Sequence, residues 1–441
     1  MNRALLTIDL GFGDSGKGAV VDFLTRHTQA HTVVRYNGGA QAGHRVVAPG
    51  GHEHVFSQFG SGTLAGAATH LSRFMLVEPL AMLEEARHLR ALGAGEPFER
   101  TTIDARALVL TPFARAVNRL RELARGDARH GSCGMGVGET MIDFLAHGER
   151  ALLAGDFADR ERLRAKLAFL RAVNLAKLTE FAAALPDTPT VAQERAVLED
   201  AAWADTLLDD YAEWSELAHV VPGDYLHTIL QRPGAVVFEA AQGVLLDEWR
   251  GFHPYTTWST TTLANAYQLL RESGYDGAVT RVGITRAYAT RHGAGPLPTE
   301  ELVLSAALPD ARNVFGAWQQ GFRVGWLDLV LLRYALAAAG PLDTLALTCL
   351  DRLAEVPAPQ ICRHYRDGDA QIERLAFLAG EPSLEYQEAL TQQLLRCQPQ
   401  LEAVDVAGLP ALLARALGVP VGLLSYGAGP SAKQLVPGAG L

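Results

Sequence analysis

Residues 4–24 read Ala4-Leu5-Leu6-Thr7-Ile8-Asp9-Leu10-Gly11-Phe12-Gly13-Asp14-Ser15-Gly16-Lys17-Gly18-Ala19-Val20-Val21-Asp22-Phe23-Leu24. A largely apolar run comes first, then a glycine loop, then a helix-forming run. A short apolar run before a glycine turn suits a buried strand of a parallel sheet, so strand, loop and helix in this order predict an α/β unit. Glycines let backbone N–H groups approach an anion closely. The helix N-terminus adds partial positive charge there, and Lys17 adds a full one. Gly13, Ser15, Gly16, Lys17 and Gly18 are therefore candidate phosphate-binding residues. The loop departs from the pattern GxxxxGK[ST] at Gly18, so the usual Mg²⁺-binding hydroxyl is absent. A carboxylate, Asp14, sits inside the loop instead, where it can bind Mg²⁺, act as a base, or do both.

Outward from this unit, further short apolar runs recur at residues 32–36, 74–77, 107–110, 235–239, 282–287, 344–350 and 419–424. Helical patterns lie between them, as at 81–92 and 327–339. Residues 149–230 differ in texture: they are rich in Ala, Leu, Glu and Arg, with Leu163, Leu167, Leu170 and Val173 at helical spacing. The expectation is one α/β domain over residues 1–441. It has a large, mostly parallel sheet flanked by helices, a phosphate-loop-like nucleotide site, and a helical insertion at about 149–230.

The 441 residues carry a formal charge of -10, which argues against bulk attraction to nucleic acid or anionic membranes. Cys133, Cys349, Cys362 and Cys397 show neither CxxC nor zinc spacing, and no apolar run is long enough for a membrane span. The first residues read as a strand rather than a signal peptide. A reducing cytoplasm is the expected setting.

A second glycine turn follows the run at 32–36: Asn37-Gly38-Gly39-Ala40-Gln41-Ala42-Gly43-His44. Ligands of open α/β sheets gather beyond such strand ends. His44 there can donate a hydrogen bond to a phosphoryl group in transfer.

GDSGKG followed by RYNGGAQAGH resembles the adenylosuccinate synthetase family, whose usual form is GDEGKG followed by RYxGGxNAGH. The resemblance continues along most of the chain. Residues 238–247, FEAAQGVLLD, resemble FEGAQGxLLD, and Pro254-Tyr255-Thr256-Thr257 resembles PYVT. Residues 286–300, RAYATRHGAGPLPTE, resemble KAYxTRVGAGPFPTE. Gly325-Trp326-Leu327-Asp328 matches GWLD, residues 347–351 resemble LTKLD, and Ser425-Tyr426-Gly427 resembles a late STG turn.

The resemblance implies a homodimeric ligase that uses GTP and Mg²⁺ to phosphorylate O6 of IMP, which the amino group of aspartate then attacks. Asp14 matches the base that removes the N1 proton and binds Mg²⁺. His44 matches the group that stabilises the transferring phosphoryl. The Gly43 carbonyl matches a second metal ligand. Gln242 matches a residue at the activated base, and Thr257 one at the nucleotide phosphate. Asp351 matches the carboxylate that selects guanine by accepting from its N1–H and N2–H₂, with Ser425 and Gly427 in the covering turn. A helix cap is the structural alternative for Asp351.

The departures cluster at the partner substrates. GTTGRGIGP is here residues 131–139, GSCGMGVGE, so a phosphate-binding Thr falls on Cys133, with Ser132 beside it. Gln41 replaces an Asn, and Cys349 a Lys that packs on guanine. The intersubunit arginine falls near His147, with Arg150 the nearest arginine. The aspartate loop FGATTGRxRRTGWLD becomes residues 315–328, FGAWQQGFRVGWLD, one residue shorter. Arg323 is the arginine left to meet one carboxylate of aspartate, with Arg291 or His292 to help at the other. Three readings follow: adenylosuccinate synthesis; the same chemistry on another 6-oxopurine nucleotide or another amine; and a GTP-binding regulator without ligase turnover.

Overall fold

The opening run forms strand β1 (Arg3–Asp9), in which Ala4 through Asp9 are buried on both faces. It lies inside a ten-stranded sheet with β2 (Thr32–Arg35), β3 (Ala68–Leu71), β4 (Thr101–Asp104), β5 (His219–Val221), β6 (Ala235–Glu239), β7 (Ala278–Arg286), β8 (Thr344–Thr348), β9 (Val421–Ser425) and β10 (Lys433–Leu435). The computed structural model describes residues 2–310, 313, 318, 321–438 and 440–441. Spatial order is β10-β9-β8-β7-β1-β6-β2-β3-β4-β5. Neighbours are parallel, except that β10 runs antiparallel to β9.

After β1 the chain moves outward through β2 to β5. It then returns to place β6 between β1 and β2, and β7 on the other flank of β1. Such a reversal leaves a crevice beyond the carboxyl ends of the strands, where ligands of open α/β sheets bind. The glycine loop follows β1, the 37–44 turn follows β2, and Ala240–Gly243 follows β6. Arg286, Asp351 and the 425–427 turn lie at the ends of β7, β8 and β9.

Two expected strands of the sheet lie elsewhere. Runs 74–77 and 107–110 form a separate parallel pair, Leu76–Val77 with Leu108–Val109. The sheet strands in this part of the chain are β3 and β4, whose Thr69, His70, Thr101 and Thr102 disguise them. The helix expected at 327–339 begins at Leu329, because Asp328 is its N-cap and accepts from the N–H groups of Val330 and Leu331. The 149–230 segment is mainly helical, as Arg160–Leu178, Pro189–Glu199, Trp203–Asp210, Ala212–Leu217 and Tyr225–Gln231. It also supplies β5, which extends the sheet beside β4. Leu163, Leu167 and Trp214 join a core with Leu71 and Ile103, so the insertion covers that end of the sheet.

Candidate active site

The glycine loop is organised from the end of β1. The carboxylate of Asp9, fully buried, accepts from the Gly11 N–H at 2.8 Å, the Ser15 N–H at 3.1 Å and the Ser15 hydroxyl at 2.8 Å. The Lys17 ammonium is 2.7 Å from the same carboxylate and is 4% exposed. Lys17 and Ser15, read as phosphate-binding residues, are thus held by an internal anion. Gly16 precedes the helix Lys17–Thr28, so that helix's N-terminus does face the loop. Gly18 has a steric cause: a Cβ there would lie 2.8 Å from the His44 carbonyl carbon. A Ser or Thr would collide with the strand that begins at His44.

Asp14 has φ 58°, a left-handed conformation uncommon outside glycine and costing about 1–3 kcal/mol. Arg286 Nε donates to its carbonyl, and its carboxylate lies 3.4 Å from His292 Nε2. Gln242 is also left-handed, at φ 62°. Gly243 lies hard against the loop: a Cβ there would be 2.1 Å from the Gly11 carbonyl oxygen and 2.3 Å from the Gly13 nitrogen. Close packing therefore seats His44 and Gln242 directly against the segment that carries Asp14.

His44 is buried and its Nδ1 is 2.6 Å from Glu239 Oε1. Glu239 also accepts from the Ser61 N–H at 2.9 Å and from the Ser61 hydroxyl. Burial opposes the charge of Glu239, but Arg35 and the hydrogen bonds from His44 and Ser61 prevail and lower its pKa to about 2. Burial also lowers the pKa of His44, against the pull of Glu239. A carboxylate on Nδ1 directs the other ring nitrogen outward as the available one. Gly43 precedes His44 on the turn. Gln41 holds both amide atoms buried without a partner.

Gln242 Nε2 donates to Thr257 Oγ1 at 2.9 Å, and Gln242 Oε1 is buried without a partner. Two residues suggested only by family likeness thus meet in space. Asp351 lies in the first turn of helix Leu350–Ala354, whose N-cap is Cys349, so Asp351 is not the cap. Its Oδ1 is buried without a partner. Ser425 donates to the Gly427 carbonyl at 3.1 Å. Lys433 secures the same turn, donating to the carbonyls of Gly427, Ala428 and Gly429 at 3.0–3.3 Å. Burial lowers its pKa to about 8, against the pull of Asp22, Cys349 and Asp351.

The acceptor side is arranged differently. Arg323 pairs with Glu300 and donates through Nη1 to the carbonyls of Gly293 at 3.1 Å and Gly295 at 2.7 Å. The donors of Arg323, expected at a substrate carboxylate, are engaged here by Glu300 and by the chain's own carbonyls. Arg291 is also engaged, donating to the carbonyls of Ala294, Pro296 and Tyr255, with its guanidinium 4.1 Å from the Phe12 ring centroid. Burial and the charge of Arg323 lower its pKa to about 9. Ser132 shares hydrogen bonds with Asn118, and the N–H groups of Gly131 and Ser132 point at Glu122. Cys133 is half-buried. Trp318 closes on Gly134, where a Cβ would lie 2.8 Å from the indole Cγ. Gln319 and Gln320 fall outside the described residues. Arg150 and His147 both pack on Phe169 of the insertion.

Asp9, Glu239 and Lys433 have no role in the sequence reading, and His292 figures there only as a helper to Arg323 at a substrate carboxylate; in the structure it stands 3.4 Å from Asp14. Asp9 had a local signal, a carboxylate ending an apolar strand. Glu239, His292 and Lys433 find their partners only across the fold.

The family model described as adenylosuccinate synthetase matches residues 7–431. The adenylosuccinate synthetase of Ectopseudomonas mendocina is 32% identical over 443 aligned positions, covering 97% of each chain. That of Alkalilimnicola ehrlichii is 33% identical, covering 99% of this chain and 98% of the other. Among solved structures, the fully ligated adenylosuccinate synthetase of Plasmodium falciparum has a TM-score of 0.79 at 18% identity, covering 98% of this chain and 99% of that one. The succinoaminodeoxyadenylate synthetase (PurZ) of cyanophage S-2L, bound to dGMP and dATP, has a TM-score of 0.61 at 17% identity, covering 100% and 97%. These two structures share the fold. With the match to the family model and the curated relatives, the chain belongs to the adenylosuccinate synthetase family, whose members are GTP-dependent ligases that form a C–N bond.

Proposed function

We propose that Asp14 removes the N1 proton of a bound 6-oxopurine nucleotide, making O6 nucleophilic toward the γ-phosphorus of GTP. His44, with Glu239 behind it, donates to the phosphoryl group as it passes. Gln242 and Thr257 hold the purine nucleotide. Gly13, Ser15, Gly16, Lys17 and Gly18 receive the GTP phosphates, and Asp351 accepts from guanine beneath the Ser425–Gly427 turn. O6 then leaves as phosphate when the amine attacks C6. The observation that carries this reading is the packing of the Asp14 loop against His44 through Gly18 and against Gln242 through Gly243. The unpartnered Gln242 Oε1 and Asp351 Oδ1 support it, since buried acceptors without donors suit an incoming ligand.

Among the described residues no cluster of three His, Cys, Asp or Glu side chains stands ready for a metal. Mg²⁺ commonly takes one or two carboxylates and completes its shell with substrate phosphates and water. Asp14 and the Gly43 carbonyl would hold it, and Mg²⁺ would neutralise phosphate charge there. Exposed Phe144 and Leu145, on helix Val137–His147, support the homodimer implied by the family, and four free cysteines suit a cytoplasmic setting.

IMP and aspartate are the proposed substrates. The engagement of Arg291 and Arg323 favours a second reading, in which the purine or the amine differs; the cyanophage protein, bound to dGMP, makes a 2-aminopurine nucleotide a candidate. The test is stoichiometry. With IMP, GTP and aspartate, each nucleotide adduct should appear with one GDP and one phosphate, and ATP should not replace GTP. Steady GTP hydrolysis that yields no adduct with any 6-oxopurine and amine would favour the regulator.

A further inference from the structure

His292 closes a ring of contacts around the base. It sits at the end of strand Ala289–His292, paired with Phe322 of strand Phe322–Gly325, and their rings are 4.9 Å apart. Its Nε2 is 3.4 Å from Asp14 Oδ2 and 3.1 Å from Asn313 Oδ1. The orientation of the Asn313 amide follows from its other end, where Nδ2 donates to Asp310 at 3.0 Å. Nε2 therefore faces two acceptor oxygens and carries the proton, while Nδ1 is buried without a partner. Arg286 completes the ring, reaching Asp310 at 3.8 Å and donating to the Asp14 carbonyl. Arg286 thus holds the backbone of Asp14, and His292 Nε2, hydrogen-bonded to Asn313 Oδ1, stands beside the Asp14 carboxylate. This support surrounds a residue in a left-handed conformation that does not hold itself. Phe322 belongs to the rebuilt acceptor segment, residues 315–328, and Asn313 lies two residues before it, so the ring joins that segment to the base.

We propose that His292 is a positioning residue for Asp14. Its Nε2–H steers the carboxylate toward the purine N1 proton and couples this placement to the acceptor segment through Asn313. The proposal rests on the reading of Asp14 as the base. A neutral donor suffices, so glutamine, with an amide N–H of similar reach, should replace the histidine in part. Valine, the residue in the family pattern at this place, offers no donor.

The experiment is positional isotope exchange in [β,γ-bridge ¹⁸O]GTP with the full-length protein, IMP and Mg²⁺. It reads reversible phosphoryl transfer to the purine without any amine. If the wild type scrambles label with none of IMP, GMP and dGMP, the reading of Asp14 fails and the proposal fails with it. If the wild type scrambles, His292→Val should slow scrambling by about 10- to 100-fold, as expected when a reacting group is misplaced by about 1 Å. The KM for GTP should stay within about twofold, and His292→Gln should recover most of the rate. Wild-type scrambling in His292→Val would overturn the proposal, and so would a His292→Gln variant no faster than His292→Val. If His292→Val does not fold, as judged by circular dichroism and GTP binding, His292→Gln against His292→Leu decides by the same criterion.

Discussion

The two halves of the site treat their polar atoms in opposite ways. On the activation side, Gln41, Gln242 and Asp351 keep buried donors or acceptors unpartnered, and His44 is poised by a buried carboxylate. On the acceptor side, Arg291 and Arg323 turn their guanidinium groups onto the carbonyls between Tyr255 and Pro296, and Glu122 takes the N–H groups of Gly131 and Ser132. A buried group without a partner costs about 1–3 kcal/mol unless a ligand supplies one, so the first half is organised for a ligand and the second for its own loops. Under the proposed function, nucleotide activation is the retained part of the family chemistry, and recognition of the second substrate is the rebuilt part.

The largest expected effect breaks the activation half outright. Asp14→Asn should lower kcat by at least about 10³, since under the proposed function it removes a base and a metal ligand together while keeping the shape. Steady-state kinetics on a variant with unchanged circular dichroism checks this; turnover near wild type would remove Asp14 from the chemistry. The next effect is on stability. The pKa of Glu239, near 2 when folded, lies below its ordinary 4.5. Its ionisation therefore stabilises the fold fully above about pH 4.5, and that contribution disappears as pH falls toward 2. A depression of this size corresponds to about 3 kcal/mol. Glu239→Gln should lose roughly that at pH 7, with Arg35 left less compensated, and the gap to wild type should narrow by pH 3.5 in thermal unfolding. A gap that stays constant with pH would assign the loss to packing instead.

Asp351→Asn should reduce the preference for GTP over ATP by about 10- to 100-fold in kcat/KM, as expected when a charge-assisted acceptor pair is lost. An unchanged preference would mean that guanine is chosen elsewhere. The smallest effect sharpens the acceptor half. If Arg323 held a substrate carboxylate, Arg323→Ala would cost about 2–4 kcal/mol in kcat/KM for aspartate specifically. With its fork already on Glu300, Gly293 and Gly295, the substitution should instead lower thermal stability. It should also change kcat/KM for different amines alike, by less than about tenfold.

The sequence reading reached furthest where the chemistry is local. Strands β1, β2 and β6 to β9 announced themselves as apolar runs, and Asp14, Lys17 and Gly18 as a loop between strand and helix. Strands β3 and β4 carry no apolar signature, because Thr and His fill positions that Val and Leu hold in the other strands. The apolar runs just after them, at 74–77 and 107–110, pair with each other instead. Gly18 was legible as a missing hydroxyl, but its cause, the approach of the strand at His44, needs the fold. The same holds for Lys17, whose partner Asp9 lies eight residues earlier in the chain but meets it only in the folded loop. Arg323 shows the opposite limit: residue type suggested a carboxylate ligand, and only the surrounding backbone shows that its donors are engaged.

One mass-spectrometric screen distinguishes an intact activation half joined to a rebuilt acceptor half from its alternatives. The enzyme is supplied with GTP and Mg²⁺, each of IMP, GMP and dGMP in turn, and a panel of amines that includes aspartate. A product with a new C–N bond is expected from at least one 6-oxopurine, formed only with GTP, with aspartate giving the succinyl adduct. Products of other mass would keep the activation half and assign the rebuilt half to another amine. GTP consumed without any adduct, or no GTP-dependent chemistry on any 6-oxopurine, would contradict this expectation.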